Sequence, residues 1–339
     1  MRVFITGGTG LIGRQLVKRL VERGDHPVIL SREADKARRN PAMRGREVIQ
    51  GDPTTPGGWD SAVDGCDAVI NLVGHNLFAD RWTAEVKRMM RDSRVYGTEN
   101  VVSAIARAKS RPRVLVQASA IGYYGPHGDE ELTESSPSGT DFMAVVCREW
   151  EDAARPAEAL GLRVPTIRTG IVLAPGEGAL GIMTPLFKLG PGTPIGNGGS
   201  FFKPASGAQW MSWIHLDDIV GLFLMAMDNP EASGPINGTA PGPVRNAEFS
   251  RALSRALWKP YAPWRFYLPI GPPDFLLRTV LGEVAGVVTT GQKVVPTRAQ
   301  ALGYRFLYPE LPAALRALFA GPKAAPKPVP VPTTSGSHH

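Results

Sequence analysis

Cysteine is nearly absent from this 339-residue chain: Cys66 and Cys147 are the only two. With no CxxC pair and no His/Cys cluster at ligand spacing, neither a disulfide framework nor a structural zinc is expected, and no metal site. Long apolar runs are missing as well. The longest, Ile219–Met227, follows Asp217 and Asp218 and is too short to span a bilayer, so no membrane partner is expected. Charge is not concentrated. The 38 basic residues outnumber the 31 acidic ones, for a formal charge of +7, but they are scattered rather than set in a stripe with aromatics. Such an excess suits anionic small molecules and argues against nucleic acid. Residues 2–6 already read as a core strand, which leaves no room for a signal peptide and makes the cytoplasm the expected compartment.

What the N-terminal half does have is alternation. Short apolar stretches at Arg2–Thr6 (RVFIT), Pro27–Leu30 (PVIL), Glu47–Gln50 (EVIQ), Ala68–Leu72 (AVINL) and Val114–Ala118 (VLVQA) are separated by amphipathic segments. Near-continuous apolar strands between helices imply a parallel sheet covered on both faces. The first helix sets Leu11, Ile12, Leu16, Leu20 and Val21 on one side, with Lys18, Arg19, Glu22 and Arg23 on the other. A long helix is expected from about Thr83 to Ala108, and Pro112 helps mark its end. The expected class is α/β: a Rossmann-type doubly wound parallel sheet with a smaller C-terminal substrate domain. The boundaries read as 1–170 for the nucleotide-binding domain, with 214–240 returning to it, and 171–320 for the smaller domain. The Pro-rich tail 321–339 has almost nothing to bury and is expected to be disordered.

TGGTGLIG, Thr6–Gly13, joins the first strand to the first helix. Glycines at 7, 10 and 13 remove side chains where the backbone must turn tightly, approach a pyrophosphate and pack helix on sheet. The helix N-terminus then offers unpaired N–H groups and a positive dipole end. The second strand ends in Leu30, Ser31 and Arg32, where an NAD site needs a carboxylate for the ribose 2′-hydroxyl. A hydroxyl and a guanidinium suit a 2′-phosphate, so NADP is the expected cofactor, with Arg38, Arg39 and Arg44 near enough to share the task. Asp52, after the third strand, is placed to bound the adenine. NLVG, Asn71–Gly74, ends the fourth strand with a small residue that lets a dinucleotide pass along the backbone.

Followed in order by ADRWT, RDSRVYGT, SAIGYYG, DFMAVVCREWE, QWMSWIHLDD and GQKVVPTRAQALGYRF, these motifs resemble the extended short-chain dehydrogenases/reductases. Within them the chain is similar to an atypical epimerase-like branch, the epimerase family proteins of short-chain dehydrogenase/reductase family 39U. The resemblance spans about residues 1–318 and includes a C-terminal module of unknown function near 270–317. It implies a Rossmann-type fold, a preference for NADP(H), and cofactor contacts at Gly7, Thr9, Gly10, Leu11, Ile12, Ser31, Arg32, Asp52, Leu72 and Gly74. Gly13 joins them from the fingerprint itself. Two positions depart from the branch: His75 stands where Glu is common, and residues 199–207 (GSFFKPASG) read as an insertion.

The proton donor of such a reductase is missing. The resemblance implies a Tyr that gives a proton as hydride reaches the carbonyl, a Lys one helical turn on, and a Ser or Thr holding the substrate oxygen. With Glu151 matched to the Glu that commonly follows the Lys by four, the Tyr slot is Met143 and the Lys slot Cys147. Shifting by one gives Phe142 and Val146, and the Ser slot falls on Ala120. This branch commonly lacks the Tyr and Lys. The candidate substitutes are Tyr124, Tyr123 and Ser119, hydroxyls at the end of the fifth strand. Cys147 reads as core. His215, Asp217 and Asp218 read as caps of the next helix, and Trp210 and Trp213 as pocket lining or packing. The expected function is an NADP-dependent oxidoreductase or epimerase-like enzyme on an unidentified small polar substrate. The alternative is a non-catalytic NADP(H)-binding sensor. Monomer and homodimer both stay open.

Overall fold

The computed structural model describes residues 1–77, 80–189, 192–194, 206–261, 286 and 289–320. The expected insertion is described only at Ser206 and Gly207, and the tail 321–339 lies outside the described residues.

The N-terminal strands are β1 (Arg2–Thr6), β2 (His26–Ser31), β3 (Glu47–Gln50), β4 (Ala68–Asn71) and β5 (Val114–Ala120). After the short β6 (Glu131–Leu132) come β7 (Pro165–Thr169), β8 (Ile171–Ala174), β9 (Trp210–Met211), β10 (Trp213–His215) and β11 (Gly234–Gly238). The last two are β12 (Val244–Arg245) and β13 (Lys293–Val294). Seven of them form one parallel sheet in the order β11-β7-β5-β4-β1-β2-β3. The order reverses direction between β1 and β4, which opens a crevice at the carboxyl ends of those two strands.

Both faces of the sheet are buried, as the apolar strands require. Val3 and Ile5 of β1 join the core on one face while Phe4 joins the core on the other. Helix α1 (Leu11–Glu22) covers the first face with Leu16, Val17 and Leu20, each burial stabilising by about 1.5–3 kcal/mol. It stops at Gly24, whose φ of 82° lets the Asp25 N–H donate back to the Leu20 carbonyl at 2.9 Å. After the short α2 (Ala34–Arg39), helix α3 (Ala84–Arg107) covers the second face with Val101, Val102, Ala104 and Ile105. Thr83 caps it by accepting from the Val86 N–H at 3.2 Å. Helices α4 (Phe142–Ala154) and α5 (Pro156–Ala159) follow β5.

Two strands of the main sheet were not anticipated. β7 (PTIRT) follows a loop, and β11 (GPING) carries Pro and two glycines. β11 holds as an edge strand, where Pro235 costs no interior hydrogen bond and Ile236 supplies the buried side chain.

Beyond β8, helices α6 (Gly178–Leu189), α7 (Leu216–Asp228) and α8 (Asn246–Ala256) alternate with short strands. Helix α7 packs back onto the sheet through Ile219, Val220 and Phe223. A separate core joins Leu173, Leu180, Trp213, Phe249, Leu253 and Leu315 in the smaller unit. The WIHLDD motif staples these parts together. His215 Nδ1 accepts from the Asp217 N–H at 3.0 Å, and its ring lies 3.9 Å from that of Tyr308. The buried Asp218 carboxylate accepts from the N–H groups of Leu307 at 2.7 Å and Tyr308 at 3.0 Å. Burial pushes Asp218 up to about 6 and holds His215 down at about 4.

Candidate functional site

The cleft begins at the β1–α1 turn. Gly7 has φ 65°, and a Cβ there would lie 2.6 Å from the Leu72 carbonyl oxygen. At Gly13 a Cβ would lie 2.4 Å from the Gly7 oxygen and 2.6 Å from the Gly8 Cα. Both positions therefore exclude any side chain, the first by backbone conformation and contact, the second by helix-on-turn packing. Gly10 differs: a Cβ there would meet only the Gly7 oxygen, at 3.3 Å, so its exposed face borders open space. Gly10 is also the N-cap of α1 and supplies no capping side chain, and the first turn carries no acidic residue. The opening N–H groups of α1 are left to a ligand, in a place a pyrophosphate fits. Thr9 is exposed at the tip of the turn, with Leu11 and Ile12 half-buried behind it.

The end of β2 is built by Gln50, whose side chain donates to the Arg32 carbonyl at 2.5 Å and accepts from the Ala34 N–H at 2.9 Å. Ser31 Oγ accepts from the Glu33 N–H at 3.2 Å. The Arg32 side chain is exposed, and among the described residues no ion pair or hydrogen bond holds its guanidinium. Of the neighbours expected to share its task, Arg38 is occupied by Asp35 at 2.8 Å and by the Val48 carbonyl at 2.7 Å. Asp52 accepts from the N–H and hydroxyl of Thr54 through one oxygen, Oδ1, and so shapes its own turn.

Beneath the cleft lies a buried polar chain. Thr6 Oγ1 donates to Asn71 Oδ1 at 2.5 Å, and Asn71 Nδ2 donates to Thr98 Oγ1 at 2.8 Å and to Gln117 Oε1 at 2.9 Å. Trp150 Nε1 also donates to Thr98, at 3.0 Å. This network ties β1, β4, β5, α3 and α4 into a fixed floor. Past Leu72 the backbone surfaces at Gly74, directly over the Arg94 guanidinium.

At the far end α4 carries Met143 and Cys147 in the slots expected for Tyr and Lys. Asp141 caps it, accepting from Met143 N–H at 2.9 Å and Ala144 N–H at 3.3 Å. Met143 and Cys147, in the expected Tyr and Lys slots, face the Gly122 backbone; a Cβ on Gly122 would lie 3.5 Å from Met143 Cβ and 3.6 Å from Cys147 Sγ. Cys147 is buried, and burial pushes its thiol up to about 12, so it is an inert core group.

The three hydroxyls expected to substitute for the missing donor separate sharply. Tyr124 must be withdrawn from that role. It is fully buried, its hydroxyl donates to Asn237 Oδ1 at 2.6 Å and accepts from Arg168 Nη1 at 3.0 Å, and burial pushes it up to about 12. Ser119 is likewise committed: it is buried and donates to Glu151 Oε1 at 2.7 Å. Glu151 in turn is clamped by Arg168, with Nε and Nη2 each at 2.9 Å from its carboxylate. Tyr123 is half-buried, its ring lies 3.4 Å under the Arg168 guanidinium, and no hydrogen bond holds its hydroxyl among the described residues. Sequence reasoning missed Arg168, which organises all three; a lone Arg inside PTIRT gives no sign of the carboxylate it meets.

The two tryptophans also part company. Trp213 is fully buried and donates to the Gly242 carbonyl at 2.8 Å. Trp210 borders a cavity of about 460 Å³ lined with His127, Glu130, Arg245 and Thr290 among others, and donates to Asp129 at 3.0 Å. Among the described residues no cluster of His, Cys, Asp and Glu could hold a metal ion, and no helix is long and apolar enough to cross a membrane.

Comparison with known proteins follows the same lines. Residues 3–237 match the NAD dependent epimerase/dehydratase family, and residues 272–318 match a domain of unknown function, DUF1731. The chloroplastic SDR39U1 homolog of Arabidopsis thaliana, an epimerase family protein, is 43% identical over 323 residues, 94% of this chain and 86% of its own. Epimerase family protein SDR39U1 of Bos taurus is 37% identical over 326 residues, 94% of this chain and 100% of its own. The crystal structure of human epimerase family protein SDR39U1 (isoform 2) with NADPH superposes with a TM-score of 0.79 at 33% identity. That match covers 95% of this chain and 100% of that one.

Proposed function

This chain belongs to the NAD dependent epimerase/dehydratase family, and we propose that it is an NADP(H)-dependent oxidoreductase or epimerase-like enzyme acting on a small polar molecule. The cradle carries this reading: a glycine turn whose helix N–H groups have no side-chain cap, beside a β2 end at Ser31 and an Arg32 unpaired among the described residues. Human SDR39U1, 33% identical, holds NADPH. Gly7, Thr9, Gly10, Leu11, Ile12 and Gly13 would hold the pyrophosphate, Ser31 and Arg32 the 2′-phosphate, Asp52 the adenine side, and Leu72 and Gly74 the nicotinamide half.

Bound NADP(H) supplies hydride exchange with a carbonyl or carbinol carbon. The chain's own tasks are to position that carbon, exclude water and move one proton. Tyr123 is the hydroxyl left for the proton, its ring fixed by Arg168 and Arg168 fixed by Glu151. A cytoplasmic setting and a monomeric or homodimeric state complete the proposal.

One observation favours a second reading, a non-catalytic NADP(H)-binding sensor. Met143 and Cys147 fill the space against Gly122, and two of three hydroxyls are locked into the protein's own network. A panel of aldehydes and ketones, followed by NADPH oxidation, separates the two. Turnover abolished by Tyr123→Phe supports the enzyme. Tight NADPH binding with no turnover on any carbonyl selects the sensor.

A further inference from the structure

Arg94, on α3, is a buried cation that no carboxylate pairs with among the described residues. It is 9% exposed. Its Nη1 donates to the Met90 carbonyl at 2.8 Å and its Nη2 to the His75 carbonyl at 3.1 Å. A guanidinium has five N–H donors, so three remain. One face of the group lies 5.0 Å from the centre of the Trp150 ring. The group also meets Gly74, where a Cβ would lie 3.1 Å from Cζ, 3.2 Å from Nη2 and 3.3 Å from Nε. Burial lowers the guanidinium's pKa, with only a small opposing influence from the Cys147 thiol. An unpaired buried charge is costly, and a protein that only needed to fill this space would gain from an apolar side chain of the same volume.

The position explains the cost. The line from the Gly7 turn to Leu72 and on to the exposed Gly74 follows the floor of the cleft, and Arg94 lies beneath its second half. Gly74 lies on the guanidinium with only backbone between it and the cleft, where any larger residue would press on it. Cys147, its neighbour on α4, occupies the slot in which this chain carries no amine.

We propose that Arg94 is a positioning residue for the nicotinamide-side ribose of NADP(H): its spare donors hold the ribose oxygens that pass over Gly74, so that α3 supplies the cation α4 lacks. The inference rests on the NADP(H) reading given above and deepens it.

The test compares two ligands on the full chain by calorimetry: NADPH, and 2′,5′-ADP, which keeps the 2′-phosphate and lacks the nicotinamide ribose. Arg94→Met should weaken NADPH by roughly 10- to 100-fold, as expected for hydrogen bonds to a charged group, and leave 2′,5′-ADP within about twofold. Arg94→Lys should recover part of the loss. Arg94→Met combined with Cys147→Lys, which returns a cation from α4 into the vacated space, should recover at least about tenfold. Equal weakening of both ligands, or NADPH affinity unchanged in Arg94→Met, would overturn the assignment. Should Arg94→Met fail to fold, Arg94→Lys decides alone: a loss confined to NADPH supports the role, and no loss or a loss shared with 2′,5′-ADP ends it. Wild-type protein that binds neither ligand would instead show that the cofactor reading itself has failed, and this inference with it.

Discussion

Around Gly7–Gly13 side chains have been removed and backbone donors left open, while around Gly122, Met143 and Cys147 side chains fill the space and polar groups pair among themselves. The first end of the cleft is made of backbone, and Gly7 and Gly13 admit no side chain there. The second is made of side chains, with Met143 and Cys147 packed against Gly122 on a helix capped by Asp141. A backbone-built end thus stands against a side-chain-built end, both resting on the buried polar floor of Thr6, Asn71, Thr98 and Gln117.

The sharpest way to break that contrast is to compare two adjacent tyrosines. Tyr123→Phe should lower turnover by about 10²–10⁴-fold, the usual worth of a general acid, with stability changed by less than about 0.5 kcal/mol in a denaturant titration. Turnover equal to wild type would remove Tyr123 from the mechanism. At the binding end, Arg32→Ala should weaken NADPH by about 10- to 150-fold and leave NADH unchanged, because a charged hydrogen bond is worth about 1.5–3 kcal/mol and NADH has no 2′-phosphate. An equal loss for both nucleotides would mean that Arg32 acts on the turn, not on the phosphate.

Next in size is a pH effect from the staple that holds the smaller unit. His215 sits at about 4, below its ordinary 6.5, so its neutral burial stabilises the fold above pH 6.5 and that contribution, about 3 kcal/mol, is lost as pH falls through 4. Asp218 runs the other way: raised to about 6, it favours the fold at low pH and loses that contribution as pH rises through 6. His215→Asn keeps an N-cap and removes only the first effect. Its melting temperature should gain on wild type as pH drops from 7 to 4; a constant difference across that range would contradict the assignment. Smallest is Tyr124→Phe, which leaves Asn237 Oδ1 and Arg168 Nη1 short of a partner. It should cost about 1–3 kcal/mol of stability, with NADPH affinity unchanged. A change in affinity without one in stability would put Tyr124 back in the cleft.

The legible parts of the molecule were those set by backbone rules. The strand–glycine turn–helix cradle and the paired apolar faces of β1 could both be read from residue type and spacing. What stayed hidden depends on partners far apart in sequence. The Arg168–Glu151 clamp that commits Ser119 and Tyr124 joins β7 to α4, and nothing local in PTIRT or CREWE announces it. Arg94 within RDSRVYGT has no distinguishing sequence signal, since a helical arginine is ordinarily solvated; only Gly74 lying on its guanidinium marks it out. Edge strand β11 was invisible for the opposite reason, its Gly and Pro content arguing against a strand that pairing with β7 supplies.

The central claim, that the open end of the cleft is an NADP(H) site, is tested most directly by titrating the wild-type chain with NADPH and with NADH under the same conditions. A dissociation constant for NADPH at least about tenfold lower than for NADH is the predicted result, from the charged contact at Arg32. Equal affinity for the two, or no binding of either, would contradict it.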